Sequence, residues 1–306
     1  MDEKDLIKKA DIALGDLASG GLLSTEQSNR FIRNLIDQPT ILREARTVTM
    51  NSPSMELNKI GFGSRILKPA NQTAGSRALA IGDRSKPDLG KVTLNTSEVI
   101  AEVRLPYEVL EDNIERGNMT NTVLALMAER AALDIEELIL LGDTGSGDAY
   151  LALMDGVLAL TTTNTVDGTD VGVTGQLFND TIKAMPTQYR RNKNLMRFYN
   201  SMDIEQDYRN TVSQRGTDLG DAILTGSNAL PVFGVPMRGV ALMPDASGLF
   251  LNPQNIVVGM QRRIRIESEK LISEREFKIV LTLRLAVELE EETAVVKQTN
   301  IGVTTP

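Results

Sequence analysis

Apolar residues follow two different periods along this chain, and the change of period divides it into segments. From Met119 onward, Val123, Leu126, Met127, Leu133, Leu138 and Leu141 recur close to the three- and four-residue steps of one helix face. No proline interrupts the run, so a helix of about 22 residues, roughly 33 Å long, is predicted. Asn118 or Thr120 can cap its start, and Gly142 stands where a left-handed C-cap is expected. Arg130, Asp134, Glu136 and Glu137 fall largely between the apolar positions and define a polar side. Two shorter amphipathic helices are predicted upstream, over 2–18 and 24–37, the second stopping before Pro39.

Elsewhere the period is two. Met55–Leu67 and Lys91–Arg104 alternate on either side of a polar middle containing Lys68-Pro69, Gly75, Gly82 and Lys86-Pro87. A two-stranded arm with a loose tip fits this texture, and such arms are either flexible insertions or contacts to another chain. Ile256–Ile266 and Phe277–Leu289 also alternate, and a short strand is expected at Ala294–Lys297. All three are expected in the sheet beside the long helix. Between them, Gln176–Tyr189 reads as helix, Leu195–Tyr199 as strand and Met202–Gln214 as helix, which implies a mixed α/β region over about 155–250.

Composition removes several classes of chemistry. The 306 residues include no His and no Cys, which excludes Ser-His-Asp and Cys-His nucleophiles, the usual zinc sites, disulfides and iron–sulfur clusters. Aromatics make up 4% and Trp is absent, so base- or sugar-stacking platforms are scarce. The net charge of −8 opposes tight, affinity-driven DNA binding, but not a surface that merely encloses nucleic acid. No apolar run approaches the roughly 20 residues of a membrane-spanning helix.

Four groups of residues are candidates for chemistry. Asp143-Thr144-Gly145-Ser146 spells the aspartic-protease signature, yet it follows a helix, and no second Asp-Thr/Ser-Gly is present to complete a carboxylate pair. The same glycine loop lacks the Gly-Lys-Ser/Thr ending of a phosphate loop, and it follows a helix where a phosphate loop precedes one. Glu288, Glu290, Glu291 and Glu292 invite a divalent cation but also suit a solvated turn. Arg262, Arg263 and Arg265 are candidate DNA contacts, with alternation placing Arg263 and Arg265 on one face and Arg262 on the other. No catalytic, cofactor or metal site is assigned to any of them.

The order of elements resembles the tailed-bacteriophage major capsid protein family. The resemblance is carried by Leu105-Pro106, Glu108, Leu110, Glu111 and Asp112, the long helix, and Gly142-Asp143-Thr144-Gly145-Ser146-Gly147. Asn228–Met237, Leu242-Met243-Pro244 and Leu249–Pro253 continue it, so it spans nearly the whole chain. It implies an α+β fold of the Hong Kong phage type, with a spine helix, a C-terminal antiparallel sheet, an extended β-hairpin arm and a mixed α/β axial domain. The expected organisation is an N-terminal arm over 1–47 and an extended loop over 48–104. A peripheral domain would cover 105–154 and 251–306, and an axial domain 155–250. The implied function is a non-enzymatic subunit that assembles as pentamers and hexamers into an icosahedral shell around double-stranded DNA. It would belong to the virion after assembly in the host cytoplasm, without contact to a membrane. Implied partners are a portal, decoration proteins and, because the shell-like pattern starts soon after Met1, either a separate scaffolding protein or none. Encapsulin nanocompartments share this fold and are the alternative; a carboxylate-dependent protease using Asp143 is the alternative of another class. Some family members cross-link through a lysine on the extended loop. Lys68, Lys86 and Lys91 lie in that region, but none aligns with the reactive lysine, and that chemistry is not carried over.

Overall fold

The computed structural model describes residues 40–61, 65–68, 79, 82, 84–108, 119–169, 172–214 and 231–302. The expected helices over 2–18 and 24–37, the cap at Asn118, Leu110-Glu111-Asp112, Asn228–Leu230 and most of the arm's polar middle lie outside these residues.

After a four-residue helix α1 (Ile41–Glu44), strand β1 (Arg46–Thr49) enters a four-stranded sheet. A hairpin follows, β2 (Ser54–Gly61) and β3 (Asp88–Asn95), paired antiparallel from Ser54↔Asn95 to Gly61↔Asp88. At Thr96, whose amide donates to the Pro53 carbonyl at 2.9 Å, the chain leaves the hairpin. It continues as β4 (Ser97–Pro106), which pairs with the C-terminal β-ribbon instead of with the arm. The expected arm segment Lys91–Arg104 is therefore two strands belonging to two sheets. Uninterrupted alternation could not reveal the break, because β3 and β4 each keep period two on their own side of Thr96.

The long helix is α2 (Met119–Leu141). Its burial is broader than one face: Ile135, Glu136, Leu138, Ile139 and Leu140 are all buried, while Leu133 and Leu141 remain half-exposed. The cause is a second sheet. The first sheet has the order β1-β10-β11-β4, with β10 (Ile256–Leu271) and β11 (Glu276–Leu289) antiparallel and β1 added in parallel. Val258, Leu283, Leu285 and Val287 face α2 from this sheet, whereas Val257 and Ala286 on the opposite face pack under Met50 and Leu94 beside the hairpin.

The second sheet has the order β5-β12-β9-β6-β8-β7. It is built from β5 (Thr165–Asp167), β6 (Arg197–Asn200), β7 (Pro231–Val232), β8 (Val235–Gly239), β9 (Gly248–Leu251) and β12 (Val295–Thr299). Tyr199, Leu249, Leu251 and Val295 on one face join the core around α2 and a short helix α3 (Val157–Leu160). Phe198, Phe250 and Val296 point the other way, under α4 (Gly175–Ala184) and α5 (Met202–Ser213). There Phe178 meets Phe198 and Tyr208 edge-on, at centroid distances of 5.3 and 4.9 Å. The expected strand Ala294–Lys297 thus pairs in this second sheet and not with β10 and β11, although its Val295 still packs toward the long helix. Val295 and Val296 put apolar side chains on opposite faces, so period two could not decide between the sheets. Helix α4 stops at Ala184, short of the expected Tyr189, because Met185 precedes Pro186 and is held extended.

Gly142 is needed for a different reason from the one its position suggests. Positive φ among the described glycines occurs at Gly172 and Gly234, not at Gly142. Here the loop backbone crosses the end of α2 at close range. Gly156 N–H donates to Gly142 O at 2.8 Å, and a Cβ on Gly156 would lie 2.7 Å from both Gly142 N and Ile139 O. Gly156→Ala is expected to lower stability by about 1–3 kcal/mol, the range for forcing a methyl into packed backbone, as read by urea denaturation. The turn between β7 and β8 shows the reverse case: Phe233 is held at φ 51° while 53% exposed. Asparagine tolerates that region better, so Phe233→Asn should stabilise the subunit by about 1 kcal/mol in the same assay.

Candidate functional site

The protease-like motif is occupied with holding its own loop. Asp143 Oδ1 accepts the Gly145 amide at 2.8 Å, and the Thr144 amide and hydroxyl both donate to Asp155 Oδ1 at 2.8 Å. Asp155 lies 11 residues further on, just before the Gly156 crossing, so the motif fastens the glycine loop to the segment that covers the end of α2. The hydroxyl of Tyr150 donates to the Asp134 carbonyl at 2.7 Å and anchors the same loop to the helix side. Burial pushes that phenol's pKa up, keeping it a donor. No second carboxylate approaches Asp143 among the described contacts, and the arrangement is that of a helix-terminating loop.

The four C-terminal glutamates are dispersed over separate partners. Glu290 pairs with Arg46 at 3.1 Å, and Glu291 pairs with Lys59 on the hairpin. Glu292 Oε1 accepts the amides and hydroxyls of both Thr162 and Thr163, at 2.6 to 3.1 Å. These bonds hold its carboxyl at about 2, well below the ordinary 4.5. Burial pushes Glu288 upward. Lys91 Nζ pairs with Glu56 across the hairpin at 2.7 Å, and Lys68 and Lys86 are exposed along the arm. The backbone of Arg262 and Arg265 lies in β10, where register shifts on either side of Arg262 interrupt strict alternation.

One residue read as part of the polar helix face is instead, among the described residues, the most deeply buried charge-bearing group. Glu136 is 3% exposed, and its carboxylate accepts the amides of Thr40, at 2.6 Å, and Ile41. Burial raises its pKa, outweighing the backbone amides that pull it down. It ties the start of α1 to the long helix across 96 residues of chain. From the other end of α1, Glu44 accepts the Tyr199 hydroxyl and pairs with Arg238 at 3.0 Å, both on the second sheet. In sequence, Glu136 has the spacing of an ordinary solvated position, and the second covering sheet is the only signal that would distinguish it.

The arm carries the clearest unsatisfied surface. Ile60 and Leu89 are cross-strand partners in the hairpin, 70% and 76% exposed, and Leu67 further along is 80% exposed. Lys59 fastens the hairpin to the body at Glu291 but leaves this apolar pair facing outward. Apolar pairs on an otherwise polar arm are suited to contact with another chain.

The chain thus sets a long helix between two sheets and carries a hairpin arm that exposes the apolar pair Ile60 and Leu89. The capsid of a native GTA particle superposes with a TM-score of 0.67, at 16% identity over 95% of this chain and 100% of that one. The SrpI encapsulin of Synechococcus elongatus PCC 7942 superposes with a TM-score of 0.64, at 13% identity over 96% of this chain and 98% of that one. No family model matches the chain. The putative prophage capsid protein YqbE of Bacillus subtilis (strain 168) is 43% identical over 309 residues, covering 97% of this chain and 98% of that relative. The chain belongs to the tailed-bacteriophage major capsid protein family.

Glu136→Ala would leave the buried Thr40 and Ile41 amides without their acceptor, and a loss of about 1–3 kcal/mol is expected. Glu136→Gln keeps an acceptor oxygen and should lose less; thermal unfolding of both variants checks the order. For Glu292, the folded carboxyl lies below its unfolded value. Its contribution is therefore complete above pH 4.5 and lost as pH falls toward about 2. Glu292→Gln should flatten that part of the stability–pH curve.

Proposed function

We propose that this chain is the major capsid protein of a tailed phage, assembling with copies of itself as pentamers and hexamers into an icosahedral shell around double-stranded DNA. The observation that carries this reading is the 43% identity to a putative prophage capsid protein across 97% of the chain. Residues 155–250 are assigned to the axial part of each capsomer, and the spine helix with the β10–β11 ribbon to its periphery. The exposed Ile60–Leu89 pair supports a role for the arm in contacts between subunits. Many modest interfaces repeated by symmetry give collective strength without any single strong contact.

The protein works as structure, not as a catalyst: the hydrogen bonds of Asp143 favour a loop-fastening role. The acidic balance of −8 suits a container that must not grip a polyanionic cargo tightly. The shell would be part of the virion, assembled in the host cytoplasm, with a scaffolding protein, a portal and decoration proteins as further partners.

Particles purified from producing cells should hold nuclease-protected double-stranded DNA. Particles holding a protein cargo and no nucleic acid would favour the encapsulin alternative. Asp143→Asn is expected to assemble as well as the parent chain, measured by yield of particles on a sucrose gradient. Loss of a proteolytic activity in that variant would instead revive the carboxylate-enzyme reading.

A further inference from the structure

Two different kinds of contact hold the hairpin arm to the body. Near its base, Met55, Leu57 and Leu94 pack with Met50, Val257 and Ala286, and this part is apolar and dry. Further out that packing ends. Ile60 and Leu89 are largely exposed, and a cleft of about 540 Å³ opens between arm and body. Leu89 and Gly90 line its arm side, Gln188 and Tyr189 its body side, and Lys59 and Glu291 meet across it.

The receiving carboxylate is held ready for this contact. The Glu291 amide donates to Asn255 Oδ1, and Asn255 Nδ2 donates back to the Glu291 carbonyl, each at 2.9 Å. Asn255 is itself buried, so the backbone of Glu291 is clamped to the body. The Thr293 hydroxyl donates to Glu291 Oε1 at 2.7 Å, and its oxygen lies 3.2 Å from the Tyr189 hydroxyl, which can donate to it. Oε2 then receives Lys59, whose Nζ also lies 3.5 Å from the Glu290 carbonyl. A carboxylate already fixed at its backbone and at one oxygen loses little further freedom when the cation arrives, and that loss is what usually cancels an exposed ion pair.

We infer that Lys59–Glu291 is a releasable ionic latch that sets the angle of the arm against the body. Closed, it spans the cleft; open, the hairpin beyond Leu57 bends away and carries the Ile60–Leu89 pair with it. The Lys59 and Glu291 side chains are 40% and 24% exposed, so water and salt reach the pair, and it opens without uncovering the apolar base. A fully buried pair could not be released in this way, because opening would strand an unpaired charge. Thr293 and Tyr189 are positioning residues: they orient the carboxylate, and through Tyr189 they connect the latch to the segment that follows α4.

The absence of cysteine from the chain makes the test direct. Nitroxide labels are placed on Leu89→Cys and Gln188→Cys in the full-length chain, which is diluted with excess unlabelled chain so that only distances within one subunit are read. Pulsed electron paramagnetic resonance at low salt should give one dominant short distance. Adding Lys59→Met should raise the population at longer distances about fivefold, the scale of a partly exposed ion pair, while circular dichroism shows the fold retained. About 1 M NaCl, where the screening length is about 3 Å, should lengthen the distance in the labelled parent and leave the Lys59→Met chain unchanged. Glu291→Gln replaces Lys59→Met if the latter misfolds. A distance distribution unaffected by the loss of Lys59 would overturn the latch, and so would a salt response that persists undiminished without it. Either failure leaves the capsid reading intact, because the distances are read within single subunits and do not depend on what the arm contacts.

Discussion

Burial of the C-terminal half of α2 on nearly all sides is the constraint from which the architecture follows. A helix with one sheet behind it needs a single apolar stripe; this one has a sheet on each side, so Ile135, Leu138, Ile139 and Leu140 are buried together. Two consequences are chemical. The helix end admits no side chain where the loop crosses it, which is why Gly142 meets Gly156 there. And Glu136, the one buried carboxylate among the described residues, must find backbone donors, which the start of α1 provides. That contact, with Glu44 reaching Tyr199 and Arg238, makes a four-residue helix the fastening between the spine and the second sheet.

A subunit built this way has a dry, packed centre and carries its exposed arm outward. The hairpin is pinned at its base by Met50, Met55 and Leu57 over Val257 and Ala286, and along its length by Lys59 on Glu291. Exposed ion pairs such as Lys91–Glu56 and Arg284–Glu98 contribute little energy each, on the order of 0–1 kcal/mol, but they keep the strands soluble between assembly contacts. Such a division between a dry centre and modest, repeatable edges suits a shell, in which each interface is weak and the closed symmetry is strong.

Much of this was legible in the order of elements. The long helix was found within a residue or so, because its length and lack of proline leave no competing structure. β11 was equally plain, since alternation from Phe277 to Leu289 admits one reading. What the periods could not convey was which sheet a strand joins. Val295 and Val296 are apolar on opposite sides because both faces of the second sheet are covered, and Lys91–Arg104 alternates straight through the Thr96 corner. The roles of Glu136 and Gly142 were hidden for the same reason: each depends on a segment distant in sequence, Thr40-Ile41 for one and Gly156 for the other. Asp143, conspicuous as a motif, forms the local turn that its glycine neighbour suggests. Conspicuous spelling and structural importance were unrelated in this loop.

The most direct test is cryo-electron microscopy of the particles that form when the chain is produced in cells. Closed icosahedral shells are the expected result, with α2 lying between two sheets in every subunit and fivefold and sixfold capsomers built from this chain. A preparation containing only discrete monomers or dimers at high concentration, with or without the rest of the phage's structural proteins, would contradict the shell assignment.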